Sequence, residues 1–418
     1  MNEDMTQALL PAPADADSVR EARSLLRLLL QRAYERSQAL GASRLLVEAA
    51  ESDLDEARAE RLPSATLGLG AAALGQHQGD VHVNAQQAQA NVQLGAPLWD
   101  AGRNAALTRG RERLLQAARQ GDREAREQVA LQTVSLALER ERFGLQAEAY
   151  GRQAARMSCL IGGLEQIVAA DRGRASELLQ VRNTLRQVTL AQSQAQSQQR
   201  QVEIRLRHFV GTDPLPQAPL HALLREPPAL ERLLDDASHA GVILQLAAQL
   251  EAQENLVEVQ RAEHRPQLSW SVGSSQIAGG GSRWAWSGGM QLSVPLLDPT
   301  AKPAIRASEQ RTEALRAQRD EALRARLNQV MATREQADAA FERARLSVEA
   351  LEGSGAVRQA TLKQWQQLGR RSLFDVISAE NDYHGLLVTH INAVMDAQQS
   401  TALLWSLGPG VAAAANED

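Results

Sequence analysis

The sequence predicts a mostly helical fold with a small β part, built as two similar halves. Three observations predict it. First, landmarks of one half return in the other. Arg58-Ala59-Glu60 with Pro63 recurs as Arg261-Ala262-Glu263 with Pro266, and Pro97-Leu98-Trp99-Asp100 as Pro295-Leu296-Leu297-Asp298. Arg172-Gly173-Arg174 is echoed by Leu368-Gly369-Arg370, and Phe209-Val210-Gly211 by Ser406-Leu407-Gly408. The offsets of 203, 198, 196 and 197 residues hold the spacing through a whole unit, as an internal two-fold repeat requires. Second, all 14 prolines fall outside two long runs, 98–213 and 304–408. A proline inside a helix costs about 3 kcal/mol, so runs this long without one favour continuous helix. Third, between the helices the apolar period drops from about 3.6 to 2, the period of a strand.

The elements follow in order. Residues 1–19 read as a disordered tail, and 20–211 as the first repeat: helix, β-hairpin over 64–98, long helix over about 103–170, tip near 173, return helix over about 176–209. At about 1.5 Å per residue the long helix spans roughly 100 Å. Residues 212–228, with Pro214, Pro216, Pro219, Pro227 and Pro228, read as a linker at mid-height. The second repeat, 229–408, has a helix over about 229–263, a hairpin over 267–296, a long helix, a tip near 369 and a return helix, followed by a tail over 409–418. The return helix of the first repeat carries Val181, Val188, Ala195, Val202 and Phe209 at a period of seven, supported by Leu185 and Leu206. This is a coiled-coil stripe, short of leucine and rich in Ala and Gln. At the tips, Ser176 and Ser372 are the expected helix N-caps.

In the hairpins, Ala88, Ala90, Val92, Leu94, Ala96 and Leu98 alternate with Gln89, Asn91, Gln93 and Gly95. Trp284, Trp286, Met290, Leu292, Val294 and Leu296 alternate in the same way, and the partner strands lie over about 64–72 and 267–275. A strand of about eleven residues tilted by about 45° crosses about 25 Å, the apolar height of an outer-membrane barrel. Trp99, Trp270, Trp284 and Trp286 lie in or at the ends of these hairpins, and tryptophan favours membrane interfaces. Strands alone fit a soluble half-buried sheet as well. Four strands cannot close a barrel that holds a channel, and open edges are not tolerated in lipid, so a membrane reading requires several chains to share one barrel.

Composition narrows the function. Aromatic residues are only 3%, and 45 basic residues stand against 50 acidic, so there is no basic surface to attract nucleic acid. The lone Cys159 excludes an internal disulfide and is expected to be a buried small apolar residue. No apolar run is long enough for a membrane-spanning helix. Met1-Asn2-Glu3-Asp4 lacks the basic and apolar regions of a secretory signal, which leaves cytosolic residence or a leader removed or placed elsewhere. Gly68-Leu69-Gly70 sits inside an alternating strand with no helix after it, so it is not a dinucleotide loop. Gly279-Gly280-Gly281-Ser282 lacks the Lys-Ser/Thr of a phosphate loop and reads as a hairpin end. His384 and His390, six apart, do not have chelating spacing. No enzyme chemistry, cofactor or metal is expected.

The duplicated helix–hairpin–helix plan, the Pro-Leu-x-Asp strand exits and the Gly-containing tips together resemble the TolC-type outer-membrane channels of efflux pumps and type I secretion systems. The resemblance covers about residues 20–408. Its most specific part is Leu368-Gly369-Arg370-Arg371-Ser372-Leu373-Phe374-Asp375-Val376-Ile377, similar to the family's second-repeat tip, while the first tip departs with Gln180 where a carboxylate is common. The resemblance implies a homotrimer in the outer membrane of a Gram-negative bacterium, each chain giving four strands to a twelve-stranded barrel above a long α-helical coiled-coil tunnel in the periplasm. It implies a pore constriction at Asp375 and, one turn on, Ser378, where family members often carry a second acid. It also implies that the tips, Gly173, Arg174, Gly369, Arg370 and Ser372, contact a periplasmic membrane-fusion adaptor and through it an inner-membrane ABC transporter. The segment from Gln364 to Val376 is most similar to the branch exporting large adhesins, and there is no N-terminal Cys for lipidation. The expected function is therefore a type I secretion duct for a protein cargo. The alternatives are the outer-membrane part of a tripartite drug-efflux pump and, in another class, a soluble coiled-coil scaffold.

Overall fold

The computed structural model describes residues 16–78, 81–170, 172–213, 220, 227–278, 283–368 and 372–414. Its helices are α1 (Ala16–Arg36), α2 (Gln38–Ala59), α3 (Arg103–Ala170), α4 (Ala175–Val210), α5 (Leu230–Ser238), α6 (Gly241–Glu263), α7 (Ala301–Lys363), α8 (Leu373–Leu407) and α9 (Val411–Ala414). The strands are β1 (Ser64–Gln78), β2 (Val81–Trp99), β3 (Gln267–Ala278) and β4 (Arg283–Ser293). The chain divides into two compact units, one of 1–41, 124–240 and 323–418, the other of 42–123 and 241–322.

The second unit holds the sheet. Pro63 and Pro266 each precede a strand, where a proline lacking an N–H does no harm. The four strands pair antiparallel in the order β1-β2-β3-β4, so the two hairpins join through β2 and β3 and leave β1 and β4 as edges. Alternation is kept in register across all four strands: Leu67 stands opposite Val92, Leu94 opposite Val272, Trp270 opposite Met290 and Leu268 opposite Leu292. The intervening rows pair Thr66 with Gln93, Gln93 with Gly273 and Ser269 with Gln291. One face is therefore apolar and the other polar and small, as a period of two dictates. A register shift between Pro97 and Trp99 sets Trp99, not Leu98, opposite Leu268. At Gly95 the strands run close: a Cβ would lie 2.9 Å from the Trp270 carbonyl oxygen.

Each strand exit turns on its aspartate. Asp100 accepts from the backbone N–H groups of Gly102 (3.1 Å) and Asn104 (2.7 Å), closing a turn with Ala101 and Gly102 at positive φ and capping α3. Asp298 accepts from the Thr300 N–H (2.8 Å) and hydroxyl (2.6 Å), with His264 Nδ1 at 2.8 Å. The Thr300 hydrogen bonds hold its carboxyl below the usual range, and the neighbouring His264 adds to this. Pro303 lies in the first turn of α7, where its missing N–H has no helical partner to lose.

Among the described residues, the first unit packs its helices around four apolar clusters. The largest gathers Leu25, Leu29 and Ala33 of α1 with Val134 and Leu138 of α3, Leu206 and Val210 of α4, and Trp405 of α8. Another joins Leu233 and Ala237 of α5 to Val330, Ala337, Leu404 and Leu407. The apolar stripe of α4 is buried as spaced, at Val181, Val188, Ala195, Val202 and Leu206, with Phe209 partly buried against the first cluster.

Several expectations are corrected. Ser176 does not cap α4; the cap position is Arg174, with no side-chain hydrogen bond, and Ser176 lies one residue inside the helix. Cys159 is exposed, because the stripe of α3 that meets its neighbours passes through Met157 and Leu164 instead. The helix expected over 229–263 is two, α5 and α6, broken at His239-Ala240. Helix α1 begins inside the expected N-terminal tail, and α9 lies in the expected C-terminal one, where the Val411 N–H donates to Glu127 Oε1 at 2.7 Å.

Candidate functional site

Two surfaces hold the predicted site residues: the tips of the first unit and the apolar face of the sheet. At the first tip, a single 3-10 turn, Arg172–Arg174, links α3 to α4. Gly173 is exposed there, and Arg174 is pinned by Glu177, with Nη2 at 3.2 Å from Oε2 and Nε donating to Oε1 at 3.3 Å. At the second, α7 ends in a π-type turn, Gln364–Leu368. Such turns occur mostly singly and often at functional sites. Gly369 and Arg370 lie outside the described residues. Ser372 then caps α8 in a reciprocal box: its hydroxyl accepts from the Asp375 N–H (3.3 Å), and the Asp375 carboxylate accepts from the Ser372 N–H (3.1 Å). Asp375 is thus a half-buried capping acid, and Ser378, one turn on, is exposed.

The structure brings the two tips onto one core. Met157 and Leu164 of α3, Val181 of α4, and Leu373, Val376 and Ile377 of α8 are buried together, with Leu362 and Trp365 packed against them. One turn further along α8 comes a layer that sequence reasoning missed. Glu380 is buried, with Arg156 Nη1 at 3.4 Å from Oε1, and Arg358 Nη1 at 3.8 Å and His384 Nε2 at 3.6 Å from Oε2. The Arg358 guanidinium also lies 4.0 Å from the centre of the Tyr383 ring. Beyond it a further apolar cluster begins, with Tyr383, Leu387, Ile391 and Ala149. Burial pushes the Glu380 carboxyl up, but His384 and the two guanidinium groups outweigh it and hold it below its ordinary value. Burial lowers His384; Glu380 opposes this, and the two arginines add to it. In the sequence only an acid and a histidine at i and i+4 on α8 hint at it, and that spacing does not reveal the arginines of α3 and α7.

On the sheet, Trp284, Trp286 and Met290 are each about 70% exposed, Trp99 is half exposed, and Trp270 is partly buried. The apolar rows of this face thus have little cover within the chain, although Trp284 Nε1 donates to Ser274 Oγ at 2.9 Å. Large apolar side chains aligned over four strands form a contiguous exposed surface of a kind that soluble monomers rarely carry. Among the described residues no helix is long and apolar enough to cross a membrane.

This fold of long helices with a four-stranded sheet is shared with solved outer-membrane channels. The chain matches the outer-membrane channel OprN with a TM-score of 0.81 at 19% identity, over 98% of this chain and 96% of that one. It matches the outer membrane protein VceC of Vibrio cholerae at 0.79 and 18%, over 93% and 97%. It matches the open state of the MtrE outer membrane channel of Neisseria gonorrhoeae at 0.77 and 14%, over 93% and 89%. No protein-family model and no curated protein sequence matches it.

Proposed function

We propose that this chain is one of three identical subunits of an outer-membrane export duct in a Gram-negative bacterium. In this reading its strands supply a third of a closed barrel, its helices line a periplasmic tunnel, and the duct serves type I secretion of a large protein such as an adhesin. The observation that carries the duct is the sheet: an in-register apolar face, exposed over four strands, between two unpaired edges. Lipid covers such a face, and only further strands can satisfy such edges in lipid. The assignment to secretion is carried by the second-repeat tip, Gln364 to Val376, with its similarity to adhesin exporters. A drug-efflux pump uses the same kind of duct, so deletion decides between them. Loss of a single large surface protein with unchanged drug tolerance supports secretion, and the reverse overturns it.

Three copies per particle are expected by light scattering of detergent-solubilised protein, and a well-folded monomer would refute the shared barrel. Gly173, Arg174, Gly369, Arg370 and Ser372 form the adaptor contact in this reading, because turn glycines allow close backbone approach and arginines offer fixed donors. Gly369→Trp should abolish export while leaving the assembled protein in the membrane; normal export would place the contact elsewhere. Asp375, followed by Ser378 rather than a second acid, forms a one-layer ring at the pore. Asp375→Asn should weaken block by multivalent cations modestly, and only at low salt, in single-channel recordings.

A further inference from the structure

The ionic layer behind the tips is built as a device. It separates two apolar clusters of the same helical packing, one formed by both tips, the other beginning at Tyr383 and Leu387. It is drawn from three helices, with Arg156 on α3, Arg358 on α7, and Glu380 and His384 on α8. Its polar atoms are incompletely matched: Arg358 Nη1, Glu380 Oε2, the Tyr383 hydroxyl and both ring nitrogens of His384 are buried without a hydrogen-bond partner. It lies one turn from the tip cluster that packs against Leu362 and Trp365, where α7 gives way to its π-type turn.

We propose that this layer is a proton-operated latch, in which proton uptake by His384 frees the tip layer from the rest of the helical unit. The charged groups facing His384 are Arg156 from α3, Arg358 from α7 and Glu380 on its own helix. With the imidazole neutral, two guanidinium groups share one buried carboxylate. A proton on His384 puts a third cation into the same layer, with no second anion to meet it. The packed state therefore binds that proton less readily than a loosened one in which His384 has its ordinary value of 6.5. By linkage, packing is fully favoured above 6.5 and weakens as pH falls from there, by up to about tenfold per pH unit, until the lower packed-state value is reached. His390, the other buried imidazole of α8, lies outside the layer, with Nδ1 2.7 Å from Ser347 Oγ.

The consequence for conduction, an acid-opened periplasmic end, rests on the duct reading; the loosening itself does not. Hydrogen exchange of the full-length protein in detergent, read from pH 7.5 to 5.0 and corrected for intrinsic rates, tests the loosening. Segments 355–365 and 373–388 should lose protection on acidification in the wild type. They should keep it in His384→Gln and in His384→Val, the residue that the first repeat carries at this place. His390→Gln should respond like the wild type. Equal acid responses in wild type and both His384 variants, or a response that disappears with His390, would overturn the latch. Bilayer recordings at the same pH values separate the two readings. No channels at any pH, with His384-dependent exchange intact, would sink the duct and leave the latch standing. Channels that ignore pH while exchange responds would show that the latch does not gate.

Discussion

Behind the first tip, the buried positions at the start of α4 are Val181, Thr184 and Val188; behind the second, 196 residues on, they are Ile377, Glu380 and His384. Arg358 has Gly162 at its matching place, and the capping Asp375 has the exposed Leu179. One backbone plan thus puts an uncharged stripe on one return helix and the acid and histidine of the ionic layer on the other. The difference teaches that duplicated halves need not be energetically equivalent. An apolar layer is stable at any pH, because its driving force is area removed from water. An ionic layer holds only while its charges remain balanced.

The largest expected effect separates the two halves most sharply. Glu380→Ala leaves Arg358 buried without its carboxylate and should destabilise the first unit by about 3–5 kcal/mol, against about 1 kcal/mol for Thr184→Ala, in denaturant unfolding. Equal losses would erase the contrast. Replacing its three buried members together (Arg358→Met, Glu380→Leu and His384→Val), while Arg156, about a third exposed, turns to solvent, should leave stability unchanged or raise it by about 1–4 kcal/mol. The same triple variant should flatten the acid dependence of stability. In the wild type the His384 contribution declines below 6.5, because the unfolded chain takes that proton first; that of Glu380 is complete above 4.5 and declines as pH falls through its lowered folded value. The caps give the smallest difference. Ser372→Ala should cost about 1 kcal/mol, while Ser176→Ala, at a serine with no capping role, should stay within about 0.5 kcal/mol.

Much of this was legible in the sequence because it rests on period and punctuation. The α4 stripe, the Pro-Leu-x-Asp exits and the alternation of β2 and β4 are each set by local spacing, and the structure keeps them except that β4 ends at Ser293, short of Val294 and Leu296. Ser372 is legible as a cap because a carboxylate, Asp375, follows three residues later; Ser176 has Leu179 there, so no capping box can form. Strand ends were read short: β1 runs to Gln78 and β2 starts at Val81, through a stretch whose Ala, Gly and Gln carry little periodic signal. The break between α5 and α6 falls at His239-Ala240, just before Gly241, where the Ser238 hydroxyl donates to the Asp235 carbonyl (2.7 Å), a local signal weaker than a proline. The ionic layer was not legible. Its members come from three helices, with Arg156 more than 200 residues from the other three, and the spacing of His384 and His390 speaks only against chelation.

The order of the sheet has a consequence for polymerisation. Since β1 and β4 are the two edges, copies that face the same way and join edge to edge must meet β4 to β1, head to tail. Such a contact is heterologous: it finishes only if the curvature returns the last copy to the first, and otherwise it grows without limit. Curvature is set where strands press closely, as at Gly95 against the Trp270 carbonyl. A bulky residue there changes the bend of every copy, so its predicted phenotype is a ring of the wrong number or an open fibre, visible by electron microscopy.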